Sequence, residues 1–252
     1  NRAFHLVLLD SLLQKKSTKT FPANFRLNSI TTTTDDNYIF AGSTQSADKA
    51  NELIKMKADG TVLWNKAFSS GDFYNYAVQA PDNGYVLVGS RPVLVPSGNT
   101  NYITIVVKTD ANGNKVWEKL FKNEGMTLSK EAVIEQDGIV VAGVKRRSEN
   151  SPCFDCDSLL IVKLNNQGNT VWESKVFWGL NTSNWWDTRI TKLTNGNYAV
   201  SNEYTRGIFY YGPAGNLVDR KLAPYQVSSV TSTGDGNLAV LQLGYGNGQH
   251  RF

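Results

Sequence analysis

Short apolar runs punctuated by turn residues dominate the chain. Tyr38-Ile-Phe-Ala-Gly42, Tyr85-Val-Leu-Val-Gly89, Ile139-Val-Val-Ala-Gly143, Tyr198-Ala-Val-Ser and Leu238-Ala-Val-Leu are strand-like, and each follows a turn signal. The signals are Asp36-Asn37, Asp82-Asn-Gly84, Asp137-Gly138, Asn195-Gly196 and Asp235-Gly236, which makes five hairpins. A second pattern lies downstream of each of the first four. It runs Ile54-Lys-Met-Lys-Ala-Asp-Gly60-Thr-Val-Leu-Trp64, then Val106 to Trp117 around Gly113, then Ile161 to Trp172 around Gly168, with a weaker copy from Ile208 to Asp219 around Gly215. Each is again two strands joined by a turn whose glycine supplies a positive φ. The glycines at 60, 113, 168 and 215 are spaced by 53, 55 and 47 residues. Two hairpins per repeat make a four-stranded unit of about fifty residues, the size of a propeller blade.

Five hairpins of the first kind stand against four of the second. The missing one is at the other end of the chain: Asp10 to Phe21 aligns without gaps on Asp110 to Phe121, and Phe4-His-Leu-Val-Leu-Leu9 supplies the strand before it. Leu13 then holds the place of Gly113 and precedes Gly60 by another 47 residues. The expected fold is all-β, a five-bladed β-propeller of four-stranded blades forming one domain over 1–252. Its ring is closed by N-terminal outer strands pairing with C-terminal inner strands, which leaves no open seam.

Composition narrows the function. With 252 residues the chain buries a sizeable core without needing disulfides or metal. It has no apolar run near the roughly 20 residues of a membrane helix. Leu6-Val7-Leu8-Leu9 stops at Asp10, too short for a signal-peptide core, which leaves a cytoplasmic protein or one whose targeting segment has been removed. The net charge of +4 is spread thinly, and Lys145-Arg146-Arg147 is the only dense basic run. A nucleic-acid reader shows a basic stripe instead, so that run is expected to be a solvated loop.

Candidate chemistry is sparse. Trp64, Trp117 and Trp172 recur at one repeat position, as do Phe68, Phe121 and Phe177, and are expected to pack between neighbouring blades. Trp178, Trp185 and Trp186 fall outside the repeat, in a connector, where they serve either as a binding hot spot or as a cap on a blade junction. The turns inside hairpins are short, whereas connectors at the opposite face are long: Gln45–Asn51, Arg91–Asn101, Lys145–Asp157, Gly244–Gln249, Ser69–Tyr76, Lys122–Ser129 and Trp178–Asp187. That face is expected to bind a partner through Phe73, Tyr74, Arg91, Arg146, Arg147, Trp178, Trp185, Trp186, Tyr204 and Arg206, with Phe154 and Tyr245 beside them.

Glycosidases among five-bladed propellers place acids on innermost strands of different blades. Here only Glu131 and Glu135 are acidic there, both on one strand, so catalysis is not expected. Asp59, Asp110 and Asn166 read as turn stabilisers rather than calcium ligands. His5 and His250 lack a third metal ligand, and no phosphate loop is present. No cofactor or metal is expected. Cys153-Phe-Asp-Cys156 allows a loop-stapling disulfide, half a zinc site or a redox dithiol; the zinc site lacks its second pair and the dithiol its helix.

The pattern Gly-Tyr-Ile-Leu-x-Gly-Ser followed by Ile-x-Lys-x-Asp-x-x-Gly-x-x-x-Trp-x-Lys-x-Phe resembles a degenerate propeller repeat of exported proteins from Bacteroidota-type bacteria and archaea. It is also similar to the tryptophan-docking repeat of PQQ-like propellers, though five blades are too few for the cofactor role. Asp219 and Ser17 depart from it at the Trp position and Leu13 at the Gly position. The resemblance implies an extracytoplasmic, cell-surface or outer-membrane location, with the lipid anchor of a lipoprotein not visible in these residues. In that compartment the Cys153–Cys156 disulfide fits best. The implied function is a non-catalytic scaffold binding protein partners of a cell-envelope assembly, as an accessory subunit of an outer-membrane transport or secretion machine. The alternative is a lectin-like propeller stacking glycans on the off-repeat Trp residues, and a more remote one a five-bladed glycosidase.

Overall fold

The computed structural model describes residues 4–21, 25–44, 51–68, 71–94, 98, 100–122, 126–127, 129, 131–145, 158–177, 188–202, 207–246 and 249–251. Every described element is a strand, as the alternating apolar runs require. The chain divides into two compact units, Asn1–Asn101 with Ile105–Leu120, and Tyr102–Thr104 with Phe121–Phe252.

The first unit opens with a hairpin of β1 (Phe4–Leu9) and β2 (Lys15–Phe21). Two four-stranded antiparallel sheets follow. One has the order β3 (Phe25–Thr32), β4 (Tyr38–Thr44), β5 (Asn51–Met56) and β6 (Val62–Phe68). The other has β7 (Phe73–Gln79), β8 (Tyr85–Leu94), β9 (Thr100–Thr109) and β10 (Lys115–Leu120). Ile39, Ala41, Leu53, Ala77, Tyr85, Leu87, Ile105 and Val107 form the core shared by these two sheets.

In the second unit β11 (Met126–Thr127) and β12 (Ala132–Glu135) both pair with β13 (Gly138–Lys145), followed outward by β14 (Ser158–Asn165) and β15 (Thr170–Phe177). The innermost strand of this sheet is thus in two pieces. Then come β16 (Thr188–Lys192), β17 (Tyr198–Asn202), β18 (Gly207–Tyr211) and β19 (Leu217–Leu222) in a four-stranded sheet, and β20 (Gln226–Ser232), β21 (Leu238–Gly246) and β22 (Gln249–Arg251) in a three-stranded one. Val140, Ile161, Ile190, Val200, Phe209 and Tyr211 build one core of this unit, and Ala199, Ile208, Val227 and Val230 another.

One turn geometry recurs nine times among the described residues. In the β5–β6 turn, for example, Lys57 N–H donates to Thr61 O at 2.9 Å and Gly60 N–H donates to Lys57 O at 3.0 Å. The fourth residue of each turn has positive φ: a glycine at 60, 113, 168, 196, 215 and 236, but Leu13, Asp36 and Asn83 in the other three. In the Asp82-Asn-Gly84 signal it is Asn83, not Gly84, that carries the positive φ. Gly84 is needed for space, because a Cβ there would lie 2.1 Å from Thr109 O. The β12–β13 turn is tighter, with Gln136-Asp137 between Glu135 and Gly138. These ten short turns are the ten hairpins that the repeats predict.

The connectors are shorter than expected at two places, since β8 runs on to Leu94 before β9 starts at Thr100, and β21 reaches Gly246 before β22. The ladder that ring closure calls for, between β1 and β21, is not among those of the described residues.

Candidate binding surface

Of the recurring aromatics, Trp64, Trp172, Phe68 and Phe121 pack internally, as expected. Trp64 meets Tyr85 edge to face at 5.6 Å, and Trp172 lies 6.2 Å from Tyr198. Each indole also roofs the outer turn of the next sheet: a Cβ on Gly113 would come within 2.8 Å of Trp64, and one on Gly215 within 2.6 Å of Trp172. These glycines therefore satisfy two demands at once, left-handed φ and close approach. Phe68 packs edge to face on Tyr74 at 5.7 Å.

A second recurring device is a buried lysine on the third strand bound to the inner turn. Lys55 reaches Asp35 at 2.6 Å, Lys108 reaches Asp82 at 2.7 Å and Lys163 reaches Asp137 at 2.9 Å. Only 6% of the Lys108 side chain is exposed, and Thr109 O takes another of its protons at 2.8 Å. Burial alone would lower the Lys163 pKa, but its bonds to Asp137 and Glu135 outweigh this and raise it. The signal was present in the sequence, with lysine five residues before the turn residue in three copies. In the fourth, Tyr210 and Asn195 replace both partners together.

Asp110 Oδ1 accepts Asn112 N–H at 2.9 Å and Asn114 N–H at 2.8 Å, and Asp59 accepts Thr61 N–H at 2.8 Å. Both are turn stabilisers as expected. In the β14–β15 turn that role belongs to Asn165, whereas Asn166 donates to Gln136 O at 3.1 Å.

Among the residues expected at the binding face, Phe73 is exposed at the start of β7. Tyr74 is 1% exposed, in the core, and its hydroxyl donates to Asp72 at 3.1 Å. Arg91 lies within β8 and grips Asp72 bidentately, Nε to Oδ1 at 2.7 Å and Nη2 to Oδ2 at 2.9 Å. Its Nη1 reaches Glu118 at 2.9 Å. Arg91 and then Lys115 hold the Glu118 carboxyl down at about 2, and burial followed by the Asp72 charge pushes the Tyr74 phenol up. Pattern reasoning missed Asp72, which lies in a connector, and Glu118, whose repeat counterpart is Glu173, because neither position shows in sequence that Arg91 is its partner. Arg146, Arg147, Trp178, Trp185, Trp186, Tyr204 and Arg206 lie outside the described residues, as do Phe154, Cys153 and Cys156.

The innermost strands line up a polar row. In the first unit it is neutral: Asn28 Nδ2 donates to Tyr74 O at 2.7 Å, Thr31 Oγ1 to Ala77 O at 2.8 Å, and Ala77 N–H to Ser29 Oγ at 3.1 Å. Between β12 and β16 it is ionic. Arg189 binds Glu131 at 2.7 Å, and Glu135 takes Lys192, Lys163 at 2.8 Å and the Tyr198 hydroxyl at 2.9 Å. The two acids of the glycosidase alternative are thus each committed to a cation.

Sheets of four antiparallel strands, inner turns latched to third strands and outer strands interlocked through tryptophan define an all-β, propeller-like protein. A structure of BBS1N in complex with ARL6DN is similar, with TM-score 0.59 and 10% identity over 96% of this chain and 70% of that one. A Bacteroides caccae protein of unknown function aligns over 99% of this chain and 72% of its own, with 14% identity and TM-score 0.36. A calcium-binding regucalcin from Agrobacterium tumefaciens aligns over 85% and 66%, with 12% identity and TM-score 0.47. At 10% identity the likeness to BBS1N shows the fold alone. No family model matches the sequence. No curated protein matches it either. No helix among the described residues is long and apolar enough to cross a membrane.

Proposed function

We propose that the chain is a non-catalytic binding and scaffolding module, a five-bladed propeller completed by the β1–β2 and β20–β21 hairpins as halves of one blade. Its setting is the bacterial cell envelope, exported, with Cys153 and Cys156 joined as a disulfide, and its role is that of an accessory subunit in an outer-membrane transport or secretion assembly. One observation carries the reading. All ten hairpin turns are two to four residues, whereas connectors leaving the opposite strand ends include 146–157 and 178–187, which hold the basic run and the off-repeat tryptophans. Long loops on one end of a rigid sheet scaffold are where recognition concentrates. The ionic commitment of Glu131 and Glu135 supports the absence of catalysis. BBS1N is in complex with ARL6DN, and a protein partner is the corresponding proposal here.

The test is co-purification from the native envelope with the chain carrying Trp185→Ala and Trp186→Ala. The variant is expected to lose its partner protein, while Asp59→Ala, on a short turn, retains it. A folded double variant that keeps its partner would sink the proposal. A glycan array scored with the same variant separates the lectin form, which predicts saccharide binding lost on tryptophan removal.

A further inference from the structure

Strand β19 differs from the other outer strands. In β2, β6, β10 and β15, alternate residues are half-buried, but every residue of β19 is exposed. Leu217, Val218 and Leu222 are 42%, 55% and 71% accessible, and Tyr225 just beyond is 53% accessible. Among the described residues the strand is the edge of its sheet. It is also the copy in which Asp219 replaces the repeat tryptophan. An exposed edge with apolar side chains is a template for another strand.

Its sequence says which strand. When two copies of one strand pair antiparallel about a two-fold axis normal to the sheet, faces are preserved, so each residue meets one of the same parity. Centred on Arg220, Leu217-Val-Asp-Arg-Lys-Leu222 sets Asp219 opposite Lys221 of the second copy, and Lys221 opposite its Asp219. On the other face Leu222 lies toward each end of the pair, near Val218, which sits in a bulge of β19. Opposite charges and apolar pairs directly across are the stabilising cross-strand contacts. The one like pair, Arg220 with itself, is eased by geometry: the Arg220 guanidinium lies 5.6 Å over the ring of Phe209 on β18, drawn back from the edge. Asp219 and Lys221 already sit 2.9 Å apart on one face, placed to share a four-charge cluster.

We infer that the protein forms a homodimer through β19, joining two four-stranded sheets into one of eight. The inference goes beyond the scaffolding role and does not depend on the long connectors. Sedimentation velocity across a concentration series tests it with the full chain. Asp219→Lys and Lys221→Asp each place like charges opposite one another twice and are expected to raise the dimer dissociation constant about tenfold. An equimolar mixture of the two variants restores both opposite-charge pairs and is expected to recover dimer. Arg220→Thr removes the like pair and is expected to tighten the dimer. Because these side chains are exposed, the variants stay folded, which circular dichroism checks. The inference is overturned by a wild-type chain that stays monomeric, by single variants that dimerise as well as wild type, by a mixture that fails to recover, or by loss of dimer on Glu173→Lys, in β15, with Asp219→Lys silent.

Discussion

Nine turn residues carry a left-handed backbone, and what surrounds each decides how much a side chain costs. A non-glycine in this region is strained by about 1–2 kcal/mol. Leu13 carries that strain at φ 60 with its side chain 77% exposed, so no packing compensates. Leu13→Gly is expected to raise stability by up to about 1 kcal/mol, the relief being partly offset by the greater freedom of glycine in the unfolded chain. Gly113 and Gly60 make the opposite comparison. Alanine at Gly113 meets both a φ of 77 and the Trp64 ring at 2.8 Å, whereas at Gly60 the nearest atom is the Lys19 side chain at 3.7 Å. Gly113→Ala is therefore expected to cost about 2 kcal/mol or more and Gly60→Ala about 1 kcal/mol. Urea unfolding midpoints for the three variants check the order.

Between elements, the inner strands are joined by two kinds of bond. Neutral side-chain to backbone bonds join β3 to β7, and ion pairs join β12 to β16, where the inner strand is short and interrupted. Glu135 is the hub of the ionic junction, its side chain only 8% exposed. Burial by itself would raise its pKa, but Lys163, Lys192 and Tyr198 together lower it below the ordinary 4.5. A carboxylate whose folded pKa is depressed adds stability above its unfolded value, and that stability is lost as pH falls through the folded one. Glu135→Gln is thus expected to cost about 1–3 kcal/mol at neutral pH, because two lysines lose their buried counter-charge. The gap between wild type and variant should narrow below pH 4.5, where the wild-type carboxylate takes up its proton. Denaturant titrations from pH 7 to pH 2 measure this, and a gap that widens in acid would contradict the assigned role.

At the scale of the whole molecule the proposed ring closure makes a direct prediction. The β1–β2 turn at Leu13 has the geometry of the outer hairpins, and the β20–β21 turn at Gly236 that of the inner ones. In the first four-stranded sheet Phe40 faces Ile54. In the proposed closing blade the same register is expected to set Val240 opposite Val7. A Val7→Cys, Val240→Cys chain is expected to form an intramolecular disulfide under mild oxidation, seen as faster migration without reductant. Val7→Cys with Ala239→Cys, one residue out of register and on the other face, should not form it. If neither pair closes, the five-bladed ring falls with it.

The sequence alone determined the ten hairpins, their turns and the grouping of three sheets in fours, because strand periodicity and turn chemistry are local and the repeat states them several times over. It also marked the repeat tryptophans as packing residues and left Glu131 and Glu135 as an unpromising catalytic pair. The paired substitution of Lys and Asp in the fourth copy was equally legible, though only the latch geometry explains it. Tertiary structure decided the rest. Tyr74 and Arg91 have the composition of interface anchors, but the neighbours that bury Tyr74 and bind Arg91, namely Phe68, Asp72 and Glu118, come from other repeat positions and other strands. Likewise Asp219 marks β19 as departing from the repeat tryptophan, but Ser17 departs at the same place in β2, and only the structure shows β19 as the strand with every residue exposed. Burial and partnership depend on which surfaces folding brings together across tens of residues, and a local pattern carries no record of that.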